Sequence, residues 1–172
     1  MDTIARMTTD DARAAFGTLL QRHAGIVFKI AAGYARGPDD RADLAQEIAA
    51  QLWHAWPKYD PARSFSTWMY RIALNVAIGH LRQQTMRLRH DAVPLDEDLH
   101  DMADGNAVDP EHAQRLRLLQ GFIARQPALD RALLLLYLDD RPQREIAEIL
   151  GISESNVSTR IGRLKQRIRD AF

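Results

Sequence analysis

The chain has 172 residues, with 23 Lys and Arg against 23 Asp and Glu, a formal net charge of zero, and no cysteine. The missing thiols exclude disulfides, thiolate metal sites and a cysteine nucleophile, and suit a cytoplasmic location. No apolar run approaches the ~18 residues of a membrane span and no signal-peptide plan opens the chain, so a soluble protein without membrane insertion is expected.

Zero net charge conceals strong segregation along the chain. Residues 61–90 hold five arginines, Arg63, Arg71, Arg82, Arg87 and Arg89, and no acid. Residues 91–111 reverse the sign with eight acids and no Lys or Arg, and the last stretch is basic again. Such blocks speak to partners rather than to solubility.

Helical periodicity dominates and no alternating strand pattern occurs. A first helix is predicted over about 10–36, ended by Gly37-Pro38. A second starts after Asp39 or Asp40 as N-cap and ends at Trp56 before Pro57. "PKYDPARS" reads as a loop. A third helix begins near Ser64–Ser66 and runs to about Arg89, with Phe65, Met69, Ile72 and Val76 on one side. The acidic stretch 91–110, broken by Pro94, Gly105 and Pro110, has the composition of a flexible linker, and its length is too great for a connection inside a compact domain. Four helices follow, over about 111–125, 128–139, 143–150 and 153–171. The expected fold is all-α: an N-terminal tail over 1–9, a helical domain over 10–90, the linker, and a smaller helical domain over 111–172.

"QREIAEILGISESNVSTRIGRLKQRI" has the form of a helix-turn-helix. Pro142 reads as the first residue of the shorter helix. Gly151 stands where a helix end needs a left-handed residue, and Ser153 is placed to cap the next helix. Val157, Ile161, Leu164 and Ile168 fall on one face of that helix; Ser155, Thr159, Gly162, Arg163 and Gln166 lie opposite. Short hydrogen-bonding groups, a gap at Gly162 and an arginine suited to guanine make a base-reading face. Arg160, Lys165 and Arg167 flank it as phosphate contacts. The plainer alternative is an amphipathic helix whose solvated face is basic.

Two segments resemble the extracytoplasmic-function (ECF) sigma factors of the sigma-70 family. In "DLAQEIAAQLWHAWPKYDPARSFSTWMYRIALNVAIGHLR", Asp43, Leu44, Gln46 and Glu47, then Phe65, Trp68, Met69, Tyr70, Arg71, Ile72, Ala73 and Asn75, match the pattern of that family's domain 2. "ALLLLYLDDRPQREIAEILGIS" is similar to its domain 4. The resemblance implies an initiation factor that lends promoter recognition to core RNA polymerase and performs no chemistry itself. It implies a polymerase-binding set of Asp43, Leu44, Gln46, Glu47 and Ala50, docking on the coiled coil of the largest subunit, with the flap as a second contact. It implies −10 DNA contacts at Arg63, Ser64, Phe65, Ser66, Arg71, Asn75 and His80. Those at −35 fall on Ser155, Asn156, Ser158, Thr159, Arg160, Gly162, Arg163, Lys165 and Arg167. An anti-sigma factor is an expected partner, and the free protein is expected to be a monomer that needs no cofactor. Two departures stand out: "DDRPQREIAEIL" replaces the usual Gly-Leu/Met-Ser-Tyr approach to the turn, and Asn156-Val157-Ser158-Thr159-Arg160 replaces Thr-Val-Lys/Arg-Ser-Arg.

Within the resemblance, the acidic linker threads toward the basic channels of the polymerase. The competing readings are a helix-turn-helix regulator that binds duplex DNA without polymerase, and a helical adaptor that binds a regulator. An enzyme is disfavoured: the six histidines form no metal pair at i, i+4 spacing, and no glycine-rich phosphate loop is present.

Overall fold

The computed structural model describes residues 8–90 and 109–172. The expected tail up to residue 7 and the acidic linker over 91–108 lie outside the described residues. Among those described, all regular structure is helical. The chain divides into two compact units, Met1–His80 and Leu81–Phe172, and helix α4 crosses the division.

In the first unit the helix predicted over 10–36 is two: α1 (Thr9–Arg22) and α2 (Ala24–Tyr34), separated at His23, whose ψ of 16° leaves the helical region. The break has a packing cause. It lets α1 lay Phe16 against Trp53 and Trp56, at ring distances of 5.2 and 5.5 Å. Meanwhile α2 buries Ile26, Val27, Ile30, Ala31 and Tyr34, and the His23 ring itself lies 5.2 Å from Phe65.

Helix α3 (Gly37–Ala55) starts three or four residues earlier than expected. Arg36 is its cap position and Pro38 sits in the first turn, where a missing N–H costs nothing. Asp39 and Asp40 are therefore not caps but first-turn acids, favourably placed at the positive helix end. The Asp40 carboxylate accepts from the Arg36 backbone N–H at 2.9 Å. Leu44, Ile48 and Leu52 have no exposure and form the stripe on which the unit closes; each such side chain contributes about 1.5–3 kcal/mol on burial. Pro57 converts the end of α3 into a 3-10 turn (Trp56–Lys58). Helix α4 (Phe65–His90) then buries Phe65, Met69, Tyr70, Ala73, Leu74 and Ala77.

The second unit carries α5 (Pro110–Ala124), α6 (Ala128–Leu138), α7 (Gln143–Leu150) and α8 (Glu154–Ala171). Its centre is α6, which buries seven consecutive residues from Asp130 to Leu136 and contacts α5, α7 and α8. Arg131 donates to the carbonyls of Ala124 (2.6 Å) and Gln126 (3.2 Å), satisfying acceptors that the end of α5 leaves open. Between α6 and α7 the Arg141 guanidinium meets Asp139 at 3.1 Å and Glu145 at 3.3 Å. Pro142 is the cap residue of α7, one place before the first helical position expected for it, because its ψ of 145° is extended. Gly151 adopts φ 66°, ψ 32°, and the Ser153 hydroxyl accepts from the Asn156 N–H at 3.1 Å.

Candidate nucleic-acid interface

The turn between α7 and α8 sets the geometry of α8. A left-handed Gly151 turns the chain, the Ser153 cap starts α8, and Val157, Ile161 and Leu164 are buried beneath it. The same register leaves Ser155, Asn156, Ser158, Thr159, Gly162, Arg163 and Gln166 exposed. Gln166 donates to Asp170 at 2.8 Å and accepts from Arg169 at 2.6 Å, so its amide is already engaged. Arg163 has no ion-pair partner among the described residues and stands open to solvent.

The three flanking cations are held differently. Arg160 Nη1 donates to Asp130 Oδ1 at 3.1 Å, and Arg167 Nη2 donates to Asp130 Oδ2 at 2.9 Å. Arg160 Nε also donates to Asn156 Oδ1 at 3.0 Å. Lys165 Nζ lies 4.7 Å from the centre of the Tyr137 ring, within cation–π range. Asp130 and Tyr137 are both on α6, seven residues apart, so one helix fastens both edges of α8. No sequence pattern announced these partners, because they arise only when α6 and α8 are packed.

In the first unit the loop leading into α4 is braced by its own side chains. The Tyr59 hydroxyl donates to the Arg63 carbonyl at 2.8 Å, and Asp60 accepts from the Ala62 N–H at 2.9 Å. Burial first, then the neighbouring Asp60 charge, raise the Tyr59 phenol above its ordinary value of 10.0, so it stays a donor at neutral pH. The ring rests in an aromatic cluster with Trp56 at 5.3 Å, Trp68 at 5.0 Å and Phe65 at 5.6 Å. Arg63 and Ser64 are exposed, Ser66 is half-buried with its hydroxyl 2.9 Å from that of Ser64, and Arg71 and Asn75 are exposed one helical turn apart on α4. Tyr59 was missed in the sequence because its role is a contact to backbone.

Three of the residues expected to make contacts are not exposed. Phe65 is only 7% exposed and belongs to the aromatic core. His80 does not face outward: its Nε2 lies 3.1 Å from Asp40 Oδ1 and its Nδ1 3.9 Å from Glu47 Oε2, so it is turned toward α3. Leu44, at 0% exposure, is core and offers no side chain to a partner. The rest of its set, Asp43, Gln46, Glu47 and Ala50, is exposed and lies within an arc of about 100° on α3, opposite the buried stripe. Among the described residues no group of His, Asp and Glu is arranged to hold a metal ion, and no helix is long and apolar enough to cross a membrane.

Two family models match the chain in succession. The family model for sigma-70 region 2 matches residues 19–87, and that for sigma-70 region 4 matches residues 116–168. The ECF RNA polymerase sigma factor RpoE of Cereibacter sphaeroides is 30% identical over 91% of this chain and 85% of its own length. The chain belongs to the ECF sigma factors of the sigma-70 family. The ECF RNA polymerase sigma factor SigE of Mycolicibacterium smegmatis is 29% identical over 88% of this chain, which spans 59% of that protein's length. Among solved structures, the sigma factor RpoE from Bartonella quintana, in complex with the anti-sigma factor NepR, superposes with a TM-score of 0.75. The match covers 91% of this chain and 96% of that one at 16% identity, a likeness of fold.

Proposed function

We propose that this sigma factor directs core RNA polymerase to promoters through three separate surfaces and itself catalyses no reaction. The observation that carries the reading is the exposed α8 face, Ser155 to Arg163, above a buried Val157–Ile161–Leu164 stripe, in a chain matched by both sigma regions. Helix α8 enters the −35 major groove, where Arg163 addresses a base edge. Arg63 and Ser64 in the loop and the Arg71–Asn75 face of α4 receive unpaired −10 bases of the non-template strand; taking bases out of the stack costs a few kcal/mol per step, and the absence of acids over residues 61–90 offsets part of it. The α3 face of Asp43, Gln46, Glu47 and Ala50 docks on a basic helical partner, the coiled coil of the polymerase's largest subunit, with the flap as a second contact. In this reading residues 10–90 form the docking and −10 domain and 111–172 the −35 domain, and the work is done in the cytoplasm.

An anti-sigma protein that covers these faces is the expected control, as the RpoE–NepR complex illustrates for that relative. The deciding experiment mixes the purified protein with bacterial core RNA polymerase on gel filtration. Stable co-elution, followed by promoter-dependent run-off transcription, is the expected result. No co-elution with an active core, together with tight salt-sensitive binding to duplex DNA alone, transfers the protein to the polymerase-independent regulators.

A further inference from the structure

Arg160 and Arg167 are seven residues apart on α8, so their Cα atoms are separated by about 10 Å along the helix axis. Their guanidinium groups nevertheless converge on the two oxygens of one carboxylate, Asp130, at 3.1 and 2.9 Å. Two cations brought this close repel each other unless an anion lies between them. Asp130, with a side chain only 12% exposed, supplies that anion from below, while the arginines keep 39% and 48% of their surface open. The cluster carries two positive charges against one negative, and each guanidinium retains N–H donors that Asp130 does not use.

We propose that Asp130 is a positioning residue for DNA: it gathers Arg160 and Arg167 into a paired clamp for one backbone phosphate beside the −35 groove. The proposal rests on the reading of α8 as the helix that meets duplex DNA. The clamp fixes register and leaves base discrimination to Arg163. Holding two long side chains in advance lowers the entropy lost when they engage.

The test exploits an unusual sign. Deleting an acid near a polyanion tightens binding if only charge matters, whereas loss of a positioning group weakens it. Holoenzyme made from the full chain and core polymerase is titrated onto a duplex whose −35 sequence was selected from a randomised pool by the unmodified holoenzyme. Asp130→Asn is expected to weaken binding about fivefold or more. Leu136→Val, which trims a buried side chain on the same helix away from the pair, is expected to bind normally. In an Arg160→Ala, Arg167→Ala background, Asp130→Asn is expected to change affinity less than about twofold, because its effect passes through those residues.

Unchanged or tighter binding by Asp130→Asn overturns the proposal, as does an equal loss with Leu136→Val or a penalty that persists in the double-arginine background. If Asp130→Asn does not fold, the two arginine variants decide alone: for a shared phosphate, losing the second arginine adds less than about twofold to losing the first. Arg163→Ala separates the two levels. If it leaves sequence preference intact, the reading of α8 fails; if it relaxes preference while Asp130→Asn is silent, only the clamp fails.

Discussion

His80 on α4 reaches across to α3 and places its Nε2 3.1 Å from the Asp40 carboxylate, which in turn accepts the Arg36 backbone N–H. One acid thus links the start of α3 to the middle of α4. With Glu47 at 3.9 Å from the other ring nitrogen, the imidazole borders the face assigned to polymerase. His80→Ala is expected to destabilise the protein by about 1 kcal/mol, the net worth of an intramolecular hydrogen bond. Denaturant midpoints measure this. Permanganate footprints of open −10 DNA with holoenzyme carrying the variant are expected to be unchanged; a lost footprint would return His80 to the DNA-contacting set.

Neighbours on α3 are expected to behave in opposite ways. Leu44→Ala opens a cavity in the stripe and is expected to cost about 2–5 kcal/mol of stability. Asp43→Ala combined with Glu47→Ala leaves the stripe intact, so thermal unfolding is expected to move little while co-elution with core polymerase is lost. Normal core binding by the double variant would remove the docking assignment.

Tyr59→Phe deletes one hydroxyl and keeps the ring in its cluster. The carbonyl of Arg63 then loses its donor, and strand opening is expected to fall several-fold, at about 1 kcal/mol, with core binding intact. The same residue gives a pH signature. Because the folded phenol titrates above 10.0, its contribution is complete below the unfolded value and is lost as pH rises through the folded one. Wild-type stability is expected to drop more steeply than that of Tyr59→Phe on the alkaline side of about pH 10.

Gly151→Ala tests the turn. Nothing lies within 4 Å of an added Cβ, so the cost comes only from holding alanine at φ +66°, about 1–2 kcal/mol. Thermal melts are expected to show this loss with little change in DNA sequence preference.

Arg163→Ala is expected to lower discrimination at one −35 position by about 1–3 kcal/mol, read by competition among single-base promoter variants. A uniform loss across all positions would make Arg163 a backbone contact.

Local chemistry made the second unit legible. The 143–150 helix and the turn after it carry their own punctuation in Gly151 and Ser153, and the α8 stripe repeats at helical spacing, so the predicted and observed spans differ there by a residue at most. The break at His23 carried no such mark. It is imposed by Phe16 seeking Trp53 and Trp56, a contact between residues far apart in the chain. The same distinction runs through the candidate site. Exposure of Arg163 followed from periodicity, while the engagement of Arg160 and Arg167 by Asp130, and the inward turn of His80, depended on partners 30 or more residues away.

The joint between α5 and α6 is closed by the buried Arg131 guanidinium on the carbonyls of Ala124 and Gln126. Arginine keeps its proton at every pH a cell reaches, and carbonyl oxygens have none to lose. Acidification or alkalinisation therefore finds no switch at this elbow. The bend between α5 and α6 is held by the same two bonds across that whole pH range.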